Sequence, residues 1–209
     1  MFGSLRMEMA SGSTFGYFLQ AVPAALLAGI VYTVLRLMYL KRKKRQIVWF
    51  PEIMRVLFVC YLCGLCSLVI LPANFWLSFF DGLFLGWWDD MGPFFSLGEI
   101  NLVPTVVKCL SGELILGSWI KEMLIGNLAM FLPFGFFLPF VVENLTKKRA
   151  LAIAVIVPIV VESLQLTIGR SFDVDDLICN FLGIGIGLLI AFGIKGAGKH
   201  EPKARHSGS

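Results

Sequence analysis

Glu162 and Gln165 stand three residues apart in an otherwise apolar stretch, so a helix would present both on one face. Arg170 follows shortly after, then Asp173, Asp175 and Asp176, and then Asn180. Asp173, Asp176 and Asn180 are spaced by three and four residues, which again selects one helical face. Two asparagines stand apart in sequence, Asn127 within Gly126-Asn127-Leu128 and Asn101 within Asn101-Leu102-Val103-Pro104. The chemistry available to this set is polar recognition. An arginine can hold a carboxylate or a phosphate through two parallel hydrogen bonds. Glu162 is the candidate general acid or base if a reaction follows binding. No nucleophile–base pair, zinc motif or cofactor fingerprint is evident. A divalent cation held through carboxylate oxygen is the one cofactor this donor set admits.

Each of these residues also has a purely structural reading. Asp173 could cap the helix that follows it, where acids favour the macrodipole. Asn127 and Asn180 could hydrogen-bond between helices. Glu162 and Arg170 could form an ion pair, with Gly169 ending the preceding helix so that Arg170 folds back. Capping alone does not account for Glu162, Gln165 and Arg170 together.

The elements that must position these residues are membrane spans. Hydrophobic residues make up 57% of the 209 residues and charged ones 15%, too little polar surface for a soluble domain of this size. Five apolar blocks, about 15–40, 53–71, 124–142, 150–168 and 177–194, are each long enough to cross about 30 Å of hydrocarbon. The fold expected is an all-α integral membrane protein of about five transmembrane helices, built as a single bundle over 15–194. Its first block lacks the basic leading region of a cleavable signal peptide. An outer loop over 72–121 begins with an aromatic stretch, 75–88, that suits either an interfacial or a re-entrant segment.

Alternating the loops between sides places 14 of the 18 basic residues on one side. Only Arg6, Lys108, Lys121 and Arg170 fall on the other. Such asymmetry marks the cytoplasmic face, so the N-terminus, with an extracellular segment over 1–14, lies outside. The C-terminus is then cytoplasmic, with a disordered tail over 195–209 that holds both histidines, His200 and His206. The net charge of +4 is explained by this topology, and no nucleic-acid partner is implied. Cys60, Cys63 and Cys66 lie inside the second block without a basic neighbour and read as small packing residues. Pro133, Pro139 and Pro158 are expected to kink their helices or widen a cavity. The polar set then lies entirely on the extracellular side of a multi-pass protein of the cell membrane.

Four ordered pieces of sequence give the chain a resemblance to a known family. They are Asn101-Leu102-Val103-Pro104; Gly126-Asn127 followed by Pro133-Phe134-Gly135; Glu162-x-x-Gln165; and Gly169-Arg170-x-x-Asp173-x-x-Asp176, leading to Asn180 and Gly183. In this order and spacing, over about 101–187, the chain resembles the VanZ-like family of bacterial membrane proteins. The resemblance implies a Gram-positive cell-envelope protein associated with resistance to teicoplanin and related lipoglycopeptide antibiotics. It also implies Asn101, Asn127, Glu162, Gln165, Arg170, Asp173, Asp176 and Asn180 as the ligand-binding positions. The expected ligand is a membrane lipid, a lipid-linked cell-wall precursor or a lipoglycopeptide. Two other readings are an ion-coupled transporter with Glu162 as its coupling site and a non-catalytic partner of another envelope protein.

Overall fold

The computed structural model describes residues 7–10, 13–72, 74–89, 95–112 and 117–197. Five long helices account for most of it: α1 (Thr14–Arg42), α2 (Trp49–Val69), α5 (Ser118–Val141), α6 (Lys147–Thr167) and α7 (Val174–Ala197). Two shorter helices, α3 (Phe75–Leu85) and α4 (Thr105–Leu110), and two short strands, β1 (Ile100–Asn101) and β2 (Phe172–Asp173), lie between them. The five long helices all meet the length and apolarity needed to span a membrane, as the sequence implies. The chain is therefore a multi-pass helical membrane protein, and large side chains such as Leu27, Ile30 and Leu189 lie exposed on its flanks.

All five helices begin ahead of the apolar blocks, and α1 and α7 also run past them, because hydrogen bonding and caps, not hydropathy, decide where a helix starts and stops. The Ser13 side chain accepts from Gly16 N at 3.0 Å and starts α1 just before the first apolar residues. At the other end α1 continues through Lys41 and Arg42, cations that suit a helix carboxy terminus. The last helix begins at Val174 rather than near 177, which takes Asp175 and Asp176 into its first turn. It also runs on to Ala197, so Lys195 sits in its last turn and donates to Pro139 O at 2.7 Å. Helices α5 and α6 are unbroken through Pro133, Pro139 and Pro158. Pro158 is fully buried, facing the bundle rather than lipid.

The tightest packing joins α5 to α7. A Cβ at Gly183 would fall on the Leu128 carbonyl, one at Gly187 on that of Leu132, and one at Gly135 on that of Ile184. Only glycine permits so close an approach of two backbones. The paired positions rise together, so α5 and α7 run parallel, with α6 returning the chain between them. Phe131, Leu138, Ala154, Ile184, Leu188 and Ala191 fill the centre around this seam. Helix α1 packs on α2, where Gly29 receives the Cys60 side chain. That contact is the small-residue role expected of the cysteine. At the basic end, Arg36 grips Glu52 through Nε–Oε2 and Nη2–Oε1 hydrogen bonds of 2.8 Å each, and Arg55 bridges Glu52 to Glu143.

The opposite end carries α3, α4 and the strands. Eleven residues give α3 a length of about 17 Å, too short to cross a bilayer. One element was absent from the sequence reading. Residues 96–101 run alongside 168–173 in parallel, with Ile100 opposite Phe172 and Asn101 opposite Asp173. Gly98 makes the approach possible, since a Cβ there would strike the Arg170 carbonyl. Phe172 N donates to Glu99 O at 2.8 Å and Gly98 N to Leu166 O at 2.9 Å.

Candidate functional site

The polar residues of the spans meet at the end of the bundle that carries β1 and β2. Glu162, in the penultimate turn of α6, has 0% of its surface exposed. Isolation of a carboxylate at such a position costs several kcal/mol, so its partners define the site. Glu162 Oε2 accepts from the backbone N–H of Asp173 at 3.1 Å, and Oε1 accepts from Asn180 Nδ2 at 3.5 Å. Asn180 is itself buried, and its Oδ1 has no hydrogen-bond partner among the described residues. The turn between α6 and α7 is what brings Asp173 back over Glu162. Gly169 adopts φ +79°, a left-handed conformation that ends α6, and Arg170 N closes onto Gln165 O at 3.0 Å.

Asp173 is the hub of this network. Its Oδ1 accepts from Asp175 N at 2.9 Å, in the manner of a helix N-cap. Its Oδ2 accepts from Asn101 Nδ2 at 2.8 Å, and Asn101 Oδ1 accepts from Lys108 Nζ at 3.0 Å. The structural and the functional reading of Asp173 therefore coexist on its two oxygens. Asp175 turns the other way, accepting from Thr105 N at 2.8 Å and fixing the start of α4. Asn127 of α5 donates from Nδ2 to Asp176 Oδ1. Six of the eight candidate residues thus meet at this end: Asn101, Glu162, Asp173 and Asn180 share one hydrogen-bonded acid–amide network, and Asn127 and Asp176 form a separate acid–amide pair.

The other two point elsewhere. Gln165 Nε2 donates to Val69 O at 3.0 Å, and Arg170 Nη1 donates to Leu68 O and Val69 O, each at 3.1 Å. Together they bind the carboxy-terminal carbonyls of α2, which the helix itself leaves unpaired. No ion pair joins Glu162 to Arg170, because the guanidinium goes to those carbonyls and Glu162 faces the α6–α7 turn. Among the described residues, no three His, Cys, Asp or Glu side chains are gathered closely enough to hold a metal ion. The carboxylates take amide and backbone donors instead.

Three residues of this end escaped the sequence reading as site members. Lys108, counted there only for topology, is the cation that orders Asn101. Asp175 was passed over among its acidic neighbours. Gln20, buried in the first turns of α1, donates from Nε2 to Met9 O at 2.7 Å and to Asn74 Oδ1 at 3.0 Å. A glutamine within an apolar span is the same signal that singled out Asn127 and Gln165, so Gln20 was findable. The histidines of the tail lie outside the described residues.

A multi-pass membrane bundle with a buried acid–amide network at one end is the class that fold and site define. A family model described as VanZ/LLP1 matches residues 58–195, and the chain belongs to that family. The match begins within α2 and ends in the last turn of α7, so it includes all eight candidate residues and leaves out α1. No curated protein and no solved structure matches the chain.

Proposed function

We propose that this VanZ/LLP1-family protein binds an amphiphilic ligand of the cell envelope at the end of the bundle that holds the acid–amide network. The observation that carries the reading is the full burial of Glu162 between the Asp173 backbone and Asn180. A bundle whose only task was packing would be more stable with an apolar residue there. The Lys/Arg asymmetry supports assigning this end to the extracellular face of the cell membrane. Family membership supports a role in resistance to teicoplanin and other lipoglycopeptides, through a lipid, a lipid-linked cell-wall precursor or the antibiotic itself. Glu162 is the candidate group for acid–base chemistry should the bound ligand react.

Ion-coupled transport is the second reading, because a buried membrane carboxylate is also what a coupling site uses. The centre of the bundle weighs against it. Below Glu162 the helices meet through Phe131, Ala154, Ile184 and Ala191, none of which can relay an ion or a proton.

The test is expression in a teicoplanin-susceptible Gram-positive host, with membrane levels of the protein measured alongside susceptibility. The wild-type chain is expected to raise resistance, and Glu162→Gln and Arg170→Ala to abolish it at unchanged membrane level. Full resistance from both variants would overturn the site.

A further inference from the structure

Beside the acid–amide network lies a cavity of about 500 Å³, and the network's carboxylates do not line it. Its wall is built by α1, α2, α5 and the start of α3, with Tyr17, Gln20, Ser67, Asn74 and Trp76 among its polar members and Arg170 at the α6–α7 turn. Among the described residues, Arg170 is the one lining residue with a formal charge. Its Nη1 is occupied by two carbonyls, but among the described residues the guanidinium forms no ion pair. A cation that lines a largely apolar cavity and is held in no contact ion pair favours an anionic occupant.

The depth of the cavity narrows the chemistry. Its upper wall is the aromatic start of α3, and the same segment leads to Trp87 and Trp88, which are 55% and 49% exposed. Tryptophans in that setting sit at the headgroup level of a bilayer. The lower wall, from Phe18, Leu68 and Met130, belongs to spanning helices and is apolar. Phosphate belongs at the upper level and hydrocarbon at the lower. The volume falls within the range of pockets that enclose a small organic ligand, enough for a headgroup and the first carbons of a chain.

We propose that this cavity binds the phosphodiester headgroup of an anionic membrane lipid, with Arg170 as counter-ion and the acyl chains passing out between α1 and the bilayer. This rests on the amphiphile-binding reading above and names the chemical class of its ligand. Gln20 holds Met9 to Asn74 and so ties the N-terminal segment, α1 and the approach to α3 together around the cavity.

Full-length protein purified in neutral detergent is titrated with phosphatidylglycerol, with phosphatidylcholine of the same chains, and with inorganic phosphate, and binding is read by native mass spectrometry. Phosphatidylglycerol is expected to bind about tenfold or more tighter than phosphatidylcholine. Inorganic phosphate is expected neither to bind at comparable concentration nor to displace the lipid. Arg170→Gln should remove the preference between the two lipids. Because Arg170 also caps α2, Ser67→Phe serves as the second variant. It fills the cavity while keeping the guanidinium, and it should lower binding of both lipids. Equal binding of the two lipids by the wild-type protein would overturn the anionic headgroup and leave amphiphile binding standing. Displacement by inorganic phosphate would assign the site to the free anion and overturn the lipid. Undiminished binding in Ser67→Phe would overturn the location, and no binding of either lipid would overturn this proposal, the reading beneath it being decided by the resistance of the Glu162→Gln and Arg170→Ala variants.

Discussion

Glu162 and Asp173 meet across the turn that joins two membrane helices, the backbone N–H of Asp173 donating to Glu162 Oε2 at 3.1 Å. The contact makes Glu162, the most deeply buried carboxylate among the described residues, a fastener for the turn that carries Asp173. It also separates two substitutions that would otherwise look alike. Glu162→Gln keeps an oxygen for the Asp173 N–H and adds an amide N–H for the vacant Asn180 Oδ1. It should melt no lower than the parent in detergent while losing function. Glu162→Ala strands the Asp173 N–H and should cost roughly 2–4 kcal/mol. Melting curves followed by tryptophan fluorescence check both, and a destabilised Glu162→Gln would contradict the hydrogen-bond assignment.

Asn101 ties β1 to Asp173 on one side and to Lys108 on the other. Asn101→Ala removes both links and should cost about 1–3 kcal/mol, confined to the segment around 95–112. The expected signature is faster protease cleavage within that segment at a nearly unchanged melting temperature. Equal cleavage rates in parent and variant would count against the pairing.

The seam between α5 and α7 offers an internal comparison. Gly183→Ala drives a methyl group into the Leu128 carbonyl, whereas the Cβ of Gly185→Ala meets nothing within 4 Å. The first should destabilise by about 2 kcal/mol or more through overpacking of the backbone contact. The second should be neutral or stabilising by up to about 1 kcal/mol, the helix-propensity gain of alanine over glycine. The same thermal measurement reads both, and similar behaviour of the two would contradict the seam.

Orientation is open to direct chemical labelling. In a background with all five native cysteines replaced, Ser111→Cys and Asn144→Cys place one exposed thiol at each end of the bundle. A membrane-impermeant maleimide added to intact cells should label the first and spare the second. The reverse pattern would put the acid–amide network on the cytoplasmic face.

The number of spans was legible because the bilayer imposes a length that composition alone satisfies. Asn127, Glu162 and Gln165 stood out for a related reason, since they violate the apolar rule of the helices that carry them. The partition of the polar set was not legible. Nothing local to Gln165 or Arg170 says that both will reach Leu68 and Val69, because that contact depends on how α2 packs beside α6. The β1–β2 pairing was equally hidden. Two-residue strands have no hydrophobic alternation to read, and Gly98, which permits the approach, looks from the sequence like any loop glycine. The span boundaries erred for a simpler cause: hydropathy ends at the first charge, whereas Asp173 starts α7 through a side-chain cap.

The pairing of Asn101 with Asp173 has a consequence for biogenesis. The two residues are 72 positions apart, and α5 and α6 lie entirely between them. Asn101 has been synthesised, and α4 after it, long before its partner leaves the ribosome. The network is therefore closed only after α6 has inserted and the start of α7 has emerged, so that a nascent chain arrested earlier carries Asn101 and Asn127 with neither acidic partner available. The site is in this sense a late product of insertion, and its assembly marks a bundle whose last helices have arrived in register.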